Sequence, residues 1–455
     1  MESRIEHRRG RQAVVVEQWT GRFAARLSPL RFHCCREAGF GVKLRGMKDF
    51  QLYQQILGLV EPWRVENVTL KAKEQEIEVR VIFDDTLWAC PECQKRMQIH
   101  DYEERRWRHL DSCQFKTIIV SRVPSVRCAE HGTQTVAVPW AEKYTRFTRM
   151  FERFAIDVMM ECSISGAGEL LRISWDEADG IKQRAVERGL ARKTPAVMPR
   201  LCVDEKGMGH GQNYLTIVAQ VSAEGTTVEY VGEERQQESL DAFWKSLTAG
   251  QLEGVEAVAM DMWEPYVKST LAHVPGAAGK IVHDPFHLVK YMNEAVNEVR
   301  KNEHRRLQAQ GDDTLKNTRQ LWLYGIENMP ARLAQRFAEV KELNMQTSRA
   351  WAIKEVFRSF WLCDKVKEAE RYFGKWYSWA IRSRLEPVKK VARMCRAHLD
   401  NILTFFVHRL TNGPIEGLNN KIQGLIKKAY GYRNKKRFKT DIFFHLGGLD
   451  LYPAQ

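Results

Sequence analysis

The chain has 455 residues and a formal net charge of +14, with 44% hydrophobic and 10% aromatic residues. That length exceeds what one compact core serves, so several domains are expected, and the composition excludes a disordered chain. The positive balance selects a polyanionic partner, nucleic acid before others, and no apolar run is long enough to span a bilayer. The ten cysteines are mostly scattered and no signal peptide is evident, so a reducing, cytoplasmic setting is expected and disulfides are not.

Residues 1–46 differ from the rest of the chain. They carry many arginines (Arg8, Arg9, Arg11, Arg22, Arg26, Arg31, Arg36, Arg45) and no sustained periodicity. Acidic residues among them argue against an organellar transit peptide. Met47 opens a well-patterned stretch and reads as the natural start, with 1–46 a basic, disordered extension; a basic arm on DNA is the alternative.

Residues 47–140 read as a zinc-ribbon β domain. IEVRVIFDD alternates apolar and polar, and FKTIIVSRVPSVRC supplies a second extended run. Cys90-Pro-Glu-Cys93 and Cys128-Ala-Glu-His131 are two closely spaced pairs separated by a hairpin. Each can form a knuckle that aims two ligands at one ion, together the Cys₃His set that structural zinc accepts. Cys113 competes for the third position. Between the pairs, Arg105, Arg106 and Arg108 flank Trp107 in a basic, aromatic segment that reads either as a DNA-facing edge or as a solvated face.

Residues 141–193 read as a helix-turn-helix-like unit. FTRMFERFAIDVMMEC has helical apolar spacing, SISGAGELLRI carries glycines suited to a tight turn, and Ser174-Trp-Asp-Glu177 is a capping box. Lys182, Arg184 and Arg188 lie along the last helix and are candidates for DNA contact. Asp176, Glu177 and Asp179 load its start with acid, which keeps a plain three-helix packing unit open.

Beyond the linker Thr194–Pro199 the pattern becomes α/β. Strands are expected at Leu201–Glu205, Asn213–Val221, Thr227–Val231, Ala257–Met260 and Lys280–His283, with helices at Ser239–Leu247 and Tyr266–Val274. Three meandering strands followed by helix-strand-helix-strand is the order of an RNase H-like domain, expected over 200–288. Residues 289–411 read as a large helical insertion rich in tryptophan, including one helix opening at Pro387 with its apolar face continuing to Phe406. Residues 412–455 return to the core with the helix Leu418–Ala429 and a basic tail.

Asp204 is expected at the end of the first strand, Asp261 at the end of the fourth, and Glu416 at the start of the returning helix. Carboxylates at buried strand ends are costly unless paired or bound to metal. Three converging on one point would hold two divalent ions, Mg²⁺ or Mn²⁺, for in-line phosphoryl transfer on DNA. Asp284 competes with Asp261; it is placed as a supporting residue that orients a metal-bound water or a basic neighbour. Lys421, Lys427, Lys428, Arg433, Lys435, Lys436 and Arg437 follow with no acid between Leu418 and Thr440. Such a run would neutralise phosphates near the site.

VDEKG, AMDMW, HDPFHLVK, EGLNNKIQGLIKKAYGYRN and FFHLGGLDLYP, with CPEC and WRHLDSCQFKT, resemble the DDE transposases of the ISL3 group of bacterial insertion sequences. The resemblance runs from about Met47 to Pro453. It implies Asp204, Asp261 and Glu416 as the catalytic trio and Cys90, Cys93, Cys128 and His131 as the zinc set; the family's second metal pair has cysteines, so His131 is a departure. It also implies a nucleoid-associated bacterial enzyme that binds the terminal inverted repeats of its element and a target duplex, at least as a dimer, and cuts and joins DNA. A structure-selective nuclease on the same fold and a catalytically dead DNA-binding regulator are the alternatives.

Overall fold

The computed structural model describes residues 48–208, 214–343 and 345–454; the Arg-rich segment 1–46 lies outside them. The chain enters through helix α1 (Asp49–Ile56) and a sheet of β1 (Trp63–Lys71), β2 (Glu76–Phe83), β3 (Leu87–Ala89), β4 (Arg96–Ser112), β5 (Phe115–Cys128) and β6 (Gly132–Thr135). The strand order is β1-β2-β5-β4-β3, with β6 on β5. In β2, Val79, Val81 and Phe83 alternate inward, as the period of two requires. They meet a tryptophan cluster in which Trp140 stands edge-on to Trp63 at 5.0 Å and to Trp107 at 5.3 Å.

Three helices follow: α2 (Arg149–Glu161), α3 (Ile164–Leu171) and α4 (Trp175–Arg192). The glycine-bearing segment expected as a turn is instead helix α3. Ser163 caps it by accepting the Gly166 amide at 3.2 Å. Gly168 is in the helix because a Cβ there would meet the Ile173 carbonyl oxygen at 3.1 Å, so glycine lets the helix pack against its own exit. The turn lies at Arg172 to Ser174, with Arg172 left-handed (φ 56°). The Ser174/Glu177 capping box of α4 is present with both reciprocal bonds.

The second sheet contains β7 (Arg200–Gly207), β8 (Tyr214–Ser222), β9 (Gly225–Glu233), β10 (Ala257–Met260) and β11 (Ile281–His283). Between β9 and β10 lie α5 (Gln237–Ser246) and α6 (Ala249–Glu253), and α7 (Glu264–His273) connects β10 to β11. The order is β11-β10-β7-β8-β9; β10 runs parallel to β7 and β11, and β8 antiparallel to both neighbours. Alternation divides the sheet between two cores. Leu201, Val203, Val258 and Met260 face α5 and α7, and Cys202, Ala257, Ala259 and Val282 face the helical half of the molecule.

That half starts with the long α8 (Pro285–Gln308) and continues through α9 (Arg319–Leu323), α10 (Ala331–Lys341), α11 (Gln346–Phe360), α12 (Val366–Arg382), α13 (Glu386–Ala397), α14 (Leu399–Leu403) and α15 (Phe405–His408). α11 and α13 lie along α8. The single helix expected from Pro387 to Phe406 breaks at His398, whose backbone leaves helical geometry (φ −109°, ψ 18°), although the apolar stripe continues across the break. The chain then returns through α16 (Gly413–Lys428) and α17 (Lys435–Leu446), the latter packed across α4 and β9.

Candidate functional site

Asp204 is not at a strand end: β7 continues to Gly207, paired with β8 throughout. On its other edge, however, the last β10 partner is Cys202, opposite Ala259. Beyond that point β7 outlasts its parallel neighbour and its edge is open. Asp204 has the parity of Cys202, so it faces the helical half. Asp261 follows the last residue of β10, and continuing the register by two residues would set it opposite Asp204; the two are near enough for Asp261 to act on the Asp204 carboxyl. Sequence periodicity therefore aims both carboxylates at one place.

The site is closed from above by α8 and α16. Asp284 caps α8, its Oδ2 accepting the His287 amide at 3.2 Å and His287 Nδ1 at 3.1 Å. Its Oδ1 accepts the Asn412 amide at 2.9 Å, at the start of α16. This buried carboxylate thus ties the end of β11, the first turn of α8 and the first turn of α16 together. One turn further along α8, Tyr291 donates to both Asp261 oxygens, at 3.2 and 3.4 Å. On α16, Asn419 donates to Asp204 Oδ2 at 2.7 Å, and its carbonyl accepts Lys206 Nζ at 3.1 Å. Glu416 lies one turn before Asn419, on the same helix face.

The electrostatics are those of crowded, partly buried acids. Burial, then Glu205, pushes the Asp204 carboxyl up to about 6, and Asp261 adds to the shift. Burial, then Asp284, raises Glu416. His287 is raised by its bond to Asp284 despite burial, and it also feels Asp261 and Asp204.

Asp284, His287 and Glu416 offer ligand atoms that all lie within 4.8 Å of one another. Asp284 suits the role of clamp better than that of ligand, because it is 1% exposed and both oxygens already accept hydrogen bonds. His287, Tyr291 and Asn419 are site residues that the sequence reading misses. Their signal is available: 284, 287 and 291 follow helical spacing, as do 416 and 419.

The four cysteine and histidine ligands converge. Cys93 Sγ lies 3.7 Å from Cys128 Sγ, and His131 Nδ1 lies 3.5 Å from Cys128 Sγ and 3.8 Å from Cys90 Sγ. Tetrahedral zinc with bonds of about 2.3 Å to sulfur and about 2.05 Å to nitrogen demands edges of about 3.8 and about 3.5 Å, so the donor set fits. The His131 amide foremost lowers the Cys128 thiol to about 6, which favours thiolate. Cys113 sits exposed in the β4–β5 turn, away from this cluster.

The arginines and lysines divide into spent and free. Lys182 is buried and pairs with Asp441; Arg184 pairs with Glu152; Arg188 bonds Glu142 at 2.7 Å, Glu152 at 3.1 Å and the Leu451 carbonyl at 2.6 Å. Of these three residues, expected to contact DNA, Lys182 is buried, the Arg188 side chain is nearly so and Arg184 is half-buried, and together they fasten α4 to α2 and to the C-terminal segment. Arg108 is likewise buried against Asp111 and the His109 carbonyl, Arg105 pairs with Glu103, and Arg106 pairs with Glu76 and Glu78. The segment is a balanced charge ladder on β4, not a basic edge. Arg437 bonds Asp179 at 3.2 Å and lies 4.4 Å over the Trp175 ring. By contrast, Lys421, Lys427, Arg433 and Lys436 are exposed, and among the described residues neither they nor Lys428 and Lys435 join the ion pairs of this region, which link Lys182 to Asp441 and Arg437 to Asp179.

Residues 201–442 match a family model described as the ISL3 transposase with the DDE label. The chain belongs to the ISL3 family of transposases. Residues 86–131, which contain all four zinc-type ligands, match the zinc finger of the IS204/IS1001/IS1096/IS1165 transposases, and 136–186 match the helix-turn-helix domain of the same family. The transposase for insertion sequence element IS1001 of Bordetella parapertussis is 25% identical over 77% of this chain and 86% of its own. The transposase for IS1557 of Mycobacterium tuberculosis is 25% identical over 85% of this chain and 93% of its own. The transposase thus has zinc finger, helix-turn-helix and catalytic regions in that order. No helix among its described residues is long and apolar enough to cross a membrane.

Proposed function

We propose that Asp204, Asp261 and Glu416 are the metal-binding carboxylates of a DNA-cutting and DNA-joining centre on an RNase H-like core. The observation that supports this is the β7–β10 register, which pairs Ala259 with Cys202 and, continued by two residues past the end of β10, would bring Asp261 beside Asp204. The sheet order β9-β8-β7-β10-β11, with β8 alone running against the direction of the other four strands, supports the RNase H-like assignment. We further propose the division 47–140, 141–193, 200–288, 289–411 and 412–455 as structural units, with 289–411 inserted into the core.

Two Mg²⁺ or Mn²⁺ ions bound there would polarise the attacking and leaving oxygens of an in-line displacement. The chain's own residues prepare the place. Tyr291 and Asn419 fix one orientation each of Asp261 and Asp204. Asp284 holds the first turn of α16, which carries Glu416, and engages Nδ1 of His287, so that Nε2 is left without a bond to Asp284. Cys90, Cys93, Cys128 and His131 would hold one structural zinc, which supplies folding energy to the N-terminal sheet.

The substrates are the terminal inverted repeats of the element and a target duplex, and bringing two ends together requires at least two copies of the chain. The reading is tested by incubating the full chain with labelled repeat ends, a target plasmid and Mg²⁺. Cleaved ends covalently joined to plasmid are expected. Cleavage without joining would indicate a nuclease, and retention of the ends without cleavage would indicate a DNA-binding regulator.

A further inference from the structure

The corner between α16 and α17 carries two tyrosines with opposite fates. Tyr432 stacks on Phe438 at 4.6 Å and its hydroxyl donates to Asp441, so it anchors the corner. Tyr430 has a relative exposure of 101% and adopts a left-handed backbone, φ 53°. A helix end of this kind favours glycine or asparagine, because a side chain there is strained. Here the chain places a large aromatic ring in solvent at a strained position, a combination that nothing in the fold requires.

The corner is rigid. The Gly431 amide donates to Ile426 O at 2.8 Å, the Tyr430 amide to Lys427 O at 3.2 Å, and Asn434 caps α17 through the Arg437 amide at 3.3 Å. Asp441–Lys182 and Arg437–Asp179 fasten α17 to α4. Lys427, Arg433 and Lys436, all exposed, lie within six residues of it along the chain. Aromatic rings among unpaired cations suit nucleic acid, whose sugars and base edges lie between two phosphate rows.

Position along α16 adds a distance. Glu416 is in its first turn and Tyr430 lies just past its end. Fourteen residues at 1.5 Å each make about 21 Å, the length of about six base pairs.

We infer that Tyr430 enters a groove of the duplex at the element's end, within about eight base pairs of the scissile phosphate, while Lys427, Arg433 and Lys436 hold the flanking phosphates. This rests on the transposase reading above and assigns Tyr430 as a positioning residue for it.

The test uses the full chain with a photoreactive benzoyl-phenylalanine at position 430 and labelled repeat-end duplexes. Cross-links should map within about eight base pairs of the cleavage position. Y430A should weaken end binding about tenfold with an unchanged salt slope, and Y430F should stay within about twofold, since the ring and not the hydroxyl makes the contact. Y430N relieves the left-handed backbone, so it should melt at or slightly above wild type while binding as weakly as Y430A. Wild-type affinity in Y430A, cross-links to a second protein copy, or cross-links only beyond about twelve base pairs would each overturn the inference while leaving cleavage and joining by the wild-type chain intact. Failure of the wild-type chain to retain its ends would overturn the underlying reading as well.

Discussion

Replacing Asp204 by asparagine should stabilise the magnesium-free protein while abolishing its response to magnesium. The Asp204 carboxyl is pushed from 3.8 to about 6, by burial first and by Glu205 next. A shift of about 2 pH units corresponds to about 3 kcal/mol of penalty on the ionised form. The sign follows from proton binding. Between pH 4 and 6 the folded chain holds a proton that the unfolded chain has released, so the penalty grows as pH rises through that window and is complete above it. Asparagine carries no charge, and its carbonyl can accept the Glu205 amide, as Asp204 Oδ1 does at 2.9 Å. In wild type Asn419 Nδ2 donates to Asp204 Oδ2, so the new amide nitrogen is accommodated by turning over the Asn419 side-chain amide, whose Oδ1 has no partner among the described residues and then accepts from it. Thermal melts of zinc-loaded, magnesium-free protein should place D204N a few °C above wild type at pH 7.5, with the gap closing near pH 4.5. Added Mg²⁺ should raise the wild-type midpoint, because it binds only the folded state, and leave that of the variant in place. A variant that melts at or below wild type without magnesium, or that gains as much from Mg²⁺, would refute the claim that Asp204 is a strained, metal-awaiting carboxylate.

Three further outcomes are expected. Purified protein should contain one zinc per chain, and C90S should lose it and melt its N-terminal sheet first; full zinc content in C90S would remove Cys90 from the ligand set. D284N should lower cleavage about 10–100-fold through disorder of His287 and the start of α16, whereas D261N should eliminate it; parallel assays in Mg²⁺ and Mn²⁺ check the ranking, and the reverse order would exchange their roles. Neutralising Lys427, Lys428, Lys435 and Lys436 together should flatten the slope of log affinity against log salt by up to about 3 to 4, measured by titration of end binding; an unchanged slope would make the run a solvated surface.

Much of this architecture was legible because strand alternation and ligand spacing are local signals. Val79, Val81 and Phe83 announce β2 by period two, and the two ligand pairs at 90/93 and 128/131 announce a knuckle whatever surrounds them. The second sheet's strands fell within a few residues of their expected bounds for the same reason. What stayed hidden depends on partners remote in sequence. Lys182, Arg184 and Arg188 look like a basic helix face until Asp441, Glu142, Glu152 and the Leu451 carbonyl arrive from elsewhere in the fold. Asp204 looks like a strand end, yet the strand continues and only its β10 edge stops, a fact set by pairing register. The glycines at 166 and 168 suggest a turn, yet both lie within α3, where Gly168 lets the helix pack against the Ile173 carbonyl. His287 and Tyr291 could have been found by asking which side chains share Asp284's helix face.

If Asp204, Asp261 and Glu416 hold the metals, they serve the chemistry and not the binding of DNA. The most direct measurement pairs end retention with the yield of ends joined to a target plasmid, in Mg²⁺, for wild type, D204N, D261N and E416Q. Each variant should retain the repeat ends within about threefold of wild type and give no joined product, because removing one carboxylate removes a metal ligand and leaves the basic surface around α16 and α17 unchanged. Substantial joining by any one of the three would contradict its assignment and with it the proposed centre.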